Sequence, residues 1–197
     1  MRKPEYIISK EEIKNKSYKS LIHLFSLFNK SIFSNCDFEN SIFKESQFFD
    51  CIFTNCNFTN ADLRSSEFRN VKFDSCNFEN FRINSSSFHK TIIDNCKGKN
   101  IKARNTLFKN SLLQNNSFNS SDLNRSFFEL SNISHSKFLN CKMFMFFCAQ
   151  VNLDTVSFKD CNLTLSKFIN CKKINTDFSG NNKILCLYEK NDKGLPL

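Results

Sequence analysis

The sequence predicts an all-β solenoid, a coil of short extended segments that stack on one another. Three features support it: an apolar residue recurs every fifth position, a small residue stands two positions before it, and asparagine collects two positions after it. The 150 residues 31–180 divide into 30 such pentapeptides, beginning SIFSN, CDFEN. Neither an α-helix nor a simple strand keeps a five-residue period on one face, whereas short strands joined by corners do.

The apolar position of each pentapeptide predicts the core. It is Phe in 17 of the 30 repeats and Leu or Ile in eight more. Residues two apart in a strand point the same way, so the small residue and the Phe both face inward. The Phe side chains should therefore stack between turns, as in the series Phe38, Phe58, Phe78, Phe118, Phe138 and Phe158.

The cysteines follow the same pattern and do not indicate a metal or redox site. Eight of the ten occupy the small position, where Cys51 and Cys56 alternate with Ser46, Ala61 and Ser66. Cysteine behaves as a small buried hydrophobe. The chain has no C-x-x-C motif and no clustered His, so we expect no metal and no cofactor.

Asparagine marks the corners of the predicted coil. It tolerates left-handed backbone and bonds its own local backbone, both of which a tight corner requires. The corner asparagines are Asn35, Asn40, Asn55, Asn60, Asn70, Asn80, Asn95, Asn100, Asn105, Asn110 and Asn115.

Two repeats, ADLRS (residues 61–65) and SDLNR (residues 121–125), fit the A-(D/N)-L-x-x signature of pentapeptide repeat proteins. The chain resembles the Phe-rich members of that family over about three quarters of its length. The resemblance implies a right-handed quadrilateral β-helix with four pentapeptides per turn, hence about seven to eight turns. It also places Cys36, Cys56, Cys76 and Cys96 in one ladder, where we expect free thiols in a reducing compartment.

Three regions are predicted. Residues 1–25 contain good helix formers, with apolar Ile13, Leu21, Ile22 and Phe25, and are predicted to form a short helical cap. Residues 26–180 form the repeat β-helix. Residues 181–197, which contain ILCLY, form either a C-terminal cap or a tail that pairs with a second copy in a homodimer.

Charge and pattern breaks give the candidate partner-binding residues. Residues 31–80 carry four basic and eight acidic residues, whereas 81–180 carry fourteen basic and six acidic ones. The repeat is irregular at residues 96–105 and 141–150, which form either compensated turns or loops that present side chains. The candidates are Lys97, Lys99, Lys102, Arg104, Lys109, Phe144 and Met145. With a twenty-residue register, one face would carry Lys44, Arg64, Arg82, Lys102, Arg104 and Lys142.

We expect a non-enzymatic protein in the bacterial cytoplasm. His23, His89 and His135 are dispersed, and the sequence has neither a signal-type apolar segment nor an apolar run that would span a membrane. The resemblance implies an antibiotic-resistance role, protecting DNA gyrase or another type II topoisomerase from quinolones or peptide toxins. In that group the rod imitates duplex DNA, but a net charge of +9 has the wrong sign for this.

Two other functions stay open from the sequence. One is a generic scaffold or effector module with an unknown protein partner. The other is a nucleic-acid binder that uses the basic half, which is disfavoured because no outward aromatic series accompanies the lysines.

Overall fold

Every twenty residues the chain returns to the same face of the coil, because each strand pairs in parallel with the strand twenty residues later. The computed structural model describes residues 3–189 and builds about nine turns, from Ile7–Ser9 to Leu187–Glu189. Four pentapeptides therefore make one turn, as the resemblance implied. The turns outnumber the predicted seven to eight, because the coil begins before residue 26 and continues after residue 180.

The coil has four faces, two of which are continuous parallel sheets. The first face is a ten-stranded sheet of Ile7–Ser9, Leu27–Asn29, Gln47–Phe49, Glu67–Arg69, Ser87–His89, Leu107–Lys109, Phe127–Glu129, Phe147–Ala149, Lys167–Ile169 and Leu187–Glu189. The second face is a nine-stranded sheet of Glu12–Lys14, Ile32–Ser34, Ile52–Thr54, Lys72–Asp74, Ile92–Asp94, Leu112–Gln114, Asn132–Ser134, Asn152–Asp154 and Lys172–Ile174.

The other two faces are more weakly paired. The third face starts as single bridges from Ser17 to Lys97 and becomes a four-stranded sheet of Lys97–Lys99, Ser117–Asn119, Lys137–Leu139 and Ser157–Lys159. The fourth face is held by single bridges, one per turn, at Ile22, Ile42, Asp62, Arg82, Lys102, Asp122, Lys142, Asn162 and Asn182.

The fifth residue of every pentapeptide turns the corner in left-handed backbone. From Lys10 to Leu185 each fifth residue has φ between +47° and +67°. Asn predominates there because it adopts this conformation at little cost. Leu130, Met145 and Leu165 adopt it too, although a residue with a bulky side chain is disfavoured in this region.

Stacked rings fill the interior. On the first face Phe28, Phe48, Phe68 and Phe88 stack with centroids 4.4–4.7 Å apart and nearly parallel planes. The series that starts at Phe38 lies on the third face, and its six members are between 0% and 6% exposed. It is interrupted at Gly98, where the column loses one ring.

The small position has a polar role in addition to its size. The Oγ of Ser66 donates to the carbonyl of Phe43 at 3.1 Å and accepts from the backbone N–H of Ser46 at 3.1 Å. Cys56 similarly donates its thiol to the carbonyl of Phe33. A hydroxyl or thiol here satisfies buried backbone groups of the turn below, which are costly to leave unpaired. All ten cysteines are free thiols, and nine are buried.

The predicted N-terminal helical cap is wrong. Residues 6–25 form the first turn of the coil, with strands Ile7–Ser9 and Glu12–Lys14 and left-handed corners every fifth residue, which a helix does not allow. Ile8, Ile13 and Tyr18 already keep the five-residue period. Large residues in the small positions obscured the repeat in the sequence. No part of residues 3–189 forms a helix long and apolar enough to cross a membrane.

The coil continues into the predicted C-terminal tail. Leu187–Glu189 pairs with Lys167–Ile169, and Tyr188 stacks on Phe168 at 5.2 Å. Lys173 stands at the central position of its pentapeptide but is exposed, with its ammonium 3.8 Å from the centroid of Tyr188. A cation over an aromatic face is favourable. Residues 190–197 of the predicted tail lie outside the described residues.

Candidate interaction surface

The fourth face carries a line of cations. The register places there Lys44, Arg64, Arg82, Lys102, Arg104 and Lys142, which we call the cationic stripe. Successive turns of a parallel coil are about 4.8 Å apart, so each cation of the stripe lies within two turns of the next one along the axis. The twenty-residue register that the sequence suggested therefore gathers them on one face.

Two buried carboxylates lie within the cationic stripe. The side chain of Asp62 is 6% exposed. Its carboxylate accepts hydrogen bonds from Nε and Nη2 of Arg64, at 2.8 and 2.9 Å. Lys44 lies 3.5 Å from the same carboxylate and Arg82 lies 3.7 Å from it. Burial alone would raise the pKa of Asp62, but the hydrogen bonds and charge of Arg64 and the charge of Lys44 hold the pKa below its usual 3.8.

The second carboxylate, Asp122, lies three turns above Asp62. Its side chain is also 6% exposed and accepts a hydrogen bond from Nε of Arg104 at 2.6 Å. The backbone N–H of Arg104 donates to Oδ1 of Asn84 at 2.9 Å, which fixes the strand beside this pair. A buried carboxylate needs such a partner, because an unpaired charge is costly to bury.

An exposed apolar patch lies beside the upper end of the cationic stripe. It consists of Phe127, Phe144, Met145, Phe147 and Leu165, and we call it the apolar patch. Phe127 and Met145 are each 44% exposed and Leu165 is 36% exposed. Phe127 and Phe147 are in register on the first face, with ring centroids 5.8 Å apart. Exposed apolar side chains that cluster in this way mark interaction sites.

The family model for the pentapeptide repeat region matches residues 26–87. In the structure the same five-residue unit continues on both sides of this match, from the first strand to Leu187–Glu189. Residues 26–87 therefore belong to the pentapeptide repeat region that this family model describes. A comparison with curated protein sequences gives no match.

Three solved structures that resemble this chain are distant from it in sequence. Full-length QnrB1, described as a plasmid-mediated fluoroquinolone resistance protein, is 13% identical, with 94% of each chain covered and a TM-score of 0.43. HetL, a pentapeptide repeat protein of the cyanobacterium Nostoc, is 12% identical, covering 94% of this chain and 88% of HetL, with a TM-score of 0.35. A pentapeptide repeat protein from the Arabidopsis thaliana thylakoid lumen is 17% identical. The match covers 47% of this chain and 64% of the Arabidopsis chain, with a TM-score of 0.39.

The pentapeptide geometry separates the predicted basic stretch. Lys97 and Lys99 lie on the third face, Lys102 and Arg104 on the fourth, and Lys109 on the first. Lys109 also pairs with Glu129 at 3.0 Å. The chain turns a corner every five residues, so a basic run longer than one pentapeptide is divided between faces. Closeness along the sequence therefore does not gather these residues on one face, whereas twenty-residue spacing does.

The irregular repeat at residues 141–150 gave Phe144 and Met145 as candidates, and both belong to the apolar patch. The other three members of the patch were not predicted. Phe127 and Phe147 are twenty apart at the outward position of a pentapeptide, and Leu165 is twenty after Met145. A search for apolar residues at outward positions twenty apart would have found them.

Both irregular segments are compensated turns, not loops. Lys97–Lys99 and Phe147–Ala149 are regular strands in their sheets. In the second segment Phe146 takes the small position and is 1% exposed, with its ring 5.3 Å from that of Phe128. It fills the space beside Cys148, which is smaller than the usual core residue. The chain therefore presents side chains from a continuous coil.

The acidic residues of 31–80 are spread around the coil. They lie on the third face (Asp37, Glu39, Glu79), the second (Asp74), the first (Glu67), the fourth (Asp62) and the corners (Glu45, Asp50). Several are paired locally, for example Glu39 with Lys19 at 2.7 Å and Asp74 with Lys72 at 2.8 Å. They do not form a single negative face. Within residues 3–189 no group of His, Cys, Asp and Glu could hold a metal ion.

Proposed function

We propose that this chain is a non-enzymatic rod that binds a protein partner through the cationic stripe and the apolar patch. One observation carries the proposal: the inward side chains are used by the core, and the backbone groups are used by pairing between turns. Chemistry toward other molecules is therefore confined to outward positions. On those positions the strongest feature is the apolar patch beside the line of cations, and aromatic and Arg side chains are the ones enriched at interfaces.

The partner we propose is a type II topoisomerase, DNA gyrase first, in the bacterial cytoplasm. The support is the resemblance of the Phe-centred repeats to the group that protects these enzymes. The mode differs from imitation of duplex DNA, because the net charge is +9 and the acidic residues do not share a face. Docking would place the apolar patch against an apolar site on the enzyme, with the cationic stripe toward acidic residues around it.

A supercoiling and cleavage assay tests this proposal. Purified protein is titrated into gyrase with a quinolone present, after circular dichroism has shown a folded β-rich protein. Restored supercoiling with fewer cleavage complexes supports protection. No effect on either readout rejects the topoisomerase and leaves a scaffold with another protein partner.

The exposed end of the coil supports a homodimer as a second interaction. Ile184, Leu185 and Leu187 are 62%, 70% and 44% exposed, and together with Tyr188 they follow the last complete turn. Burying them against a second copy would remove apolar surface from water. Light scattering at micromolar concentration should return twice the monomer mass, and a monomer mass there would reject the dimer.

A further inference from the structure

A polar groove lies between the corner of the third face and the fourth face. It has a volume of about 480 Å³, and its lining is made only of charged and amide side chains: Asn60, Asn80, Arg82, Asn84, Asn100, Lys102, Arg104 and Asp122. Three cations against one carboxylate leave the groove with two positive charges. It lies well below the apolar patch and shares Arg82, Lys102 and Arg104 with the cationic stripe.

The positive charges of the cationic stripe are unequally neutralised. Asp62 is engaged by Arg64 through two hydrogen bonds, so that Arg82, at 3.7 Å, makes only a long contact with it. Asp122 is engaged by Arg104 at 2.6 Å. Within residues 3–189 Lys102 has no ion pair at all. The unneutralised charge is therefore concentrated on Arg82 and Lys102.

These two residues are directly in register. The backbone of Arg82 forms a parallel bridge with Lys102 one turn above, so their side chains leave the same face about 4.8 Å apart. Like charges directly opposite each other on neighbouring strands are destabilising. An anion placed between them would relieve that repulsion.

The amides on the other wall supply hydrogen-bond donors. Asn80 and Asn100 each donate one Nδ2 hydrogen to the asparagine one turn below, at 2.9 and 3.2 Å. Each Nδ2 has a second hydrogen, which this ladder does not use. The Oδ1 of Asn84 accepts a hydrogen bond from the backbone N–H of Arg104. The Nδ2 group of Asn84 is therefore the part of this amide that can donate to a ligand.

We propose that this groove binds a small ligand that carries linked phosphates. An Arg fork and a Lys point charge are the usual pair of phosphate ligands. Linked phosphates bring several anionic oxygens into one short span, which matches two stacked cations with amide donors beside them. A single carboxylate would bring one charge against the groove's two.

A nucleic-acid strand fits this groove less well than a small ligand. The unneutralised charge covers only two turns, because Asp62 lies on the turn below Arg82 and Asp122 on the turn above Lys102. A strand that follows the axis would meet both carboxylates. The groove also offers no aromatic ring on which a base could stack.

Isothermal titration calorimetry at constant ionic strength tests the proposal on the full chain. The probes are inorganic tripolyphosphate and pyrophosphate. Citrate tests whether any polyanion binds, and a random single-stranded oligonucleotide tests whether the groove prefers nucleic acid. We expect saturable binding of tripolyphosphate, weaker binding of pyrophosphate and none of citrate. Binding of citrate as tight as that of tripolyphosphate, or tighter binding of the oligonucleotide, would overturn the assignment, as would the absence of any phosphate binding.

Three variants locate the site. Arg82→Gln and Lys102→Gln should each weaken tripolyphosphate binding by about tenfold, the effect of one lost charge-assisted contact. Lys142→Gln, on the same face but outside the groove, should change it by less than about twofold. Equal effects of all three variants would mean diffuse attraction and would overturn the groove.

Thermal unfolding separates loss of binding from loss of fold. Without ligand, Lys102→Gln should melt at or above the wild-type temperature, because it removes the repulsion with Arg82. Tripolyphosphate should raise the wild-type melting temperature more than that of Lys102→Gln at the same concentration. A variant that melts lower without ligand, or responds to ligand as the wild type does, contradicts the proposal. None of these outcomes depends on the topoisomerase.

Discussion

Gly98 and Ile101 share one space in the core. A Cβ added to Gly98 would overlap Cδ1 of Ile101 and lie 2.9 Å from its Cγ1. Gly98 stands where the other turns of the third face carry Phe or Tyr, and Ile101 stands where most turns carry a small residue. Beside them an apolar cavity of about 40 Å³, lined by Phe78, Phe81 and Ala103 among others, shows that the exchange of volume is incomplete.

The first prediction is that these two residues are energetically coupled. Gly98→Ala should destabilise the wild type, because the new methyl group clashes with Ile101. In the Ile101→Ser background the same change should be neutral or favourable. A double-mutant cycle from urea unfolding should give a coupling energy of at least about 1 kcal/mol. Additive effects within about 0.3 kcal/mol would show that the two side chains do not compete.

The second prediction concerns the column of rings. Phe68 stacks between Phe48 and Phe88 at 4.7 and 4.4 Å and is fully buried. Phe68→Ala should lower the free energy of unfolding by about 3–5 kcal/mol. Phe127→Ala, on the same sheet but pointing outward, is the matched control and should change it by less than about 0.5 kcal/mol. A similar cost at both positions would contradict the inward and outward assignment.

The third prediction concerns the corners. Leu130 has φ of +52°, the conformation that Asn110 adopts one turn below with φ of +53°. Leu130→Asn should stabilise the protein by about 0.5–1 kcal/mol, because Asn adopts left-handed backbone at lower cost than Leu. The reciprocal change, Asn110→Leu, should destabilise it by a similar amount. Thermal melts of the two variants should shift in opposite directions, and a shift in the same direction would refute the argument.

The fourth prediction concerns acid stability. The pKa of Asp62 is lower in the folded chain than its usual 3.8, so the unfolded chain takes up the proton first as the pH falls. The stability from this carboxylate is present above about pH 4 and is lost as the pH falls through the folded pKa. Asp62→Asn should be less stable than the wild type at pH 7, and the difference should shrink below pH 4.

Urea unfolding at several pH values measures this difference. Asp154→Asn is the control, because the Asp154 carboxylate makes no ion pair within residues 3–189. A gap between wild type and Asp62→Asn that stays constant from pH 7 to pH 3 would show that the charge of Asp62 does not stabilise the fold.

The regular part of the fold could be predicted from the sequence because one pentapeptide fixes both the core and the corner. Phe38 and Asn40 show this: one points inward and the other is left-handed, as their positions in the repeat indicated. The first turn was missed because Glu11 and Lys16 occupy positions where later turns have small residues. At an end of a coil these positions have no turn below them, so the sequence constraint is relaxed.

The candidate surface was harder to predict because it depends on neighbours twenty residues apart. The cationic stripe was found by that spacing, whereas the group from Lys97 to Lys109 was chosen by closeness in sequence and is divided by two corners. Unequal neutralisation of Arg82 and Lys102 depends on which cations Asp62 and Asp122 engage. The choice of ion-pair partner is set by side-chain geometry, which cannot be predicted from the repeat pattern.

The measurement that tests the account most directly compares outward variants in the gyrase supercoiling assay with a quinolone. We predict that wild type and Ile52→Glu, an outward change on the second face, restore supercoiling equally. Phe147→Glu, which puts a charge into the apolar patch, should require at least about tenfold more protein. A folded Phe147→Glu variant that protects as well as the wild type would contradict docking through the apolar patch, and a wild type that does not protect would contradict the proposed partner.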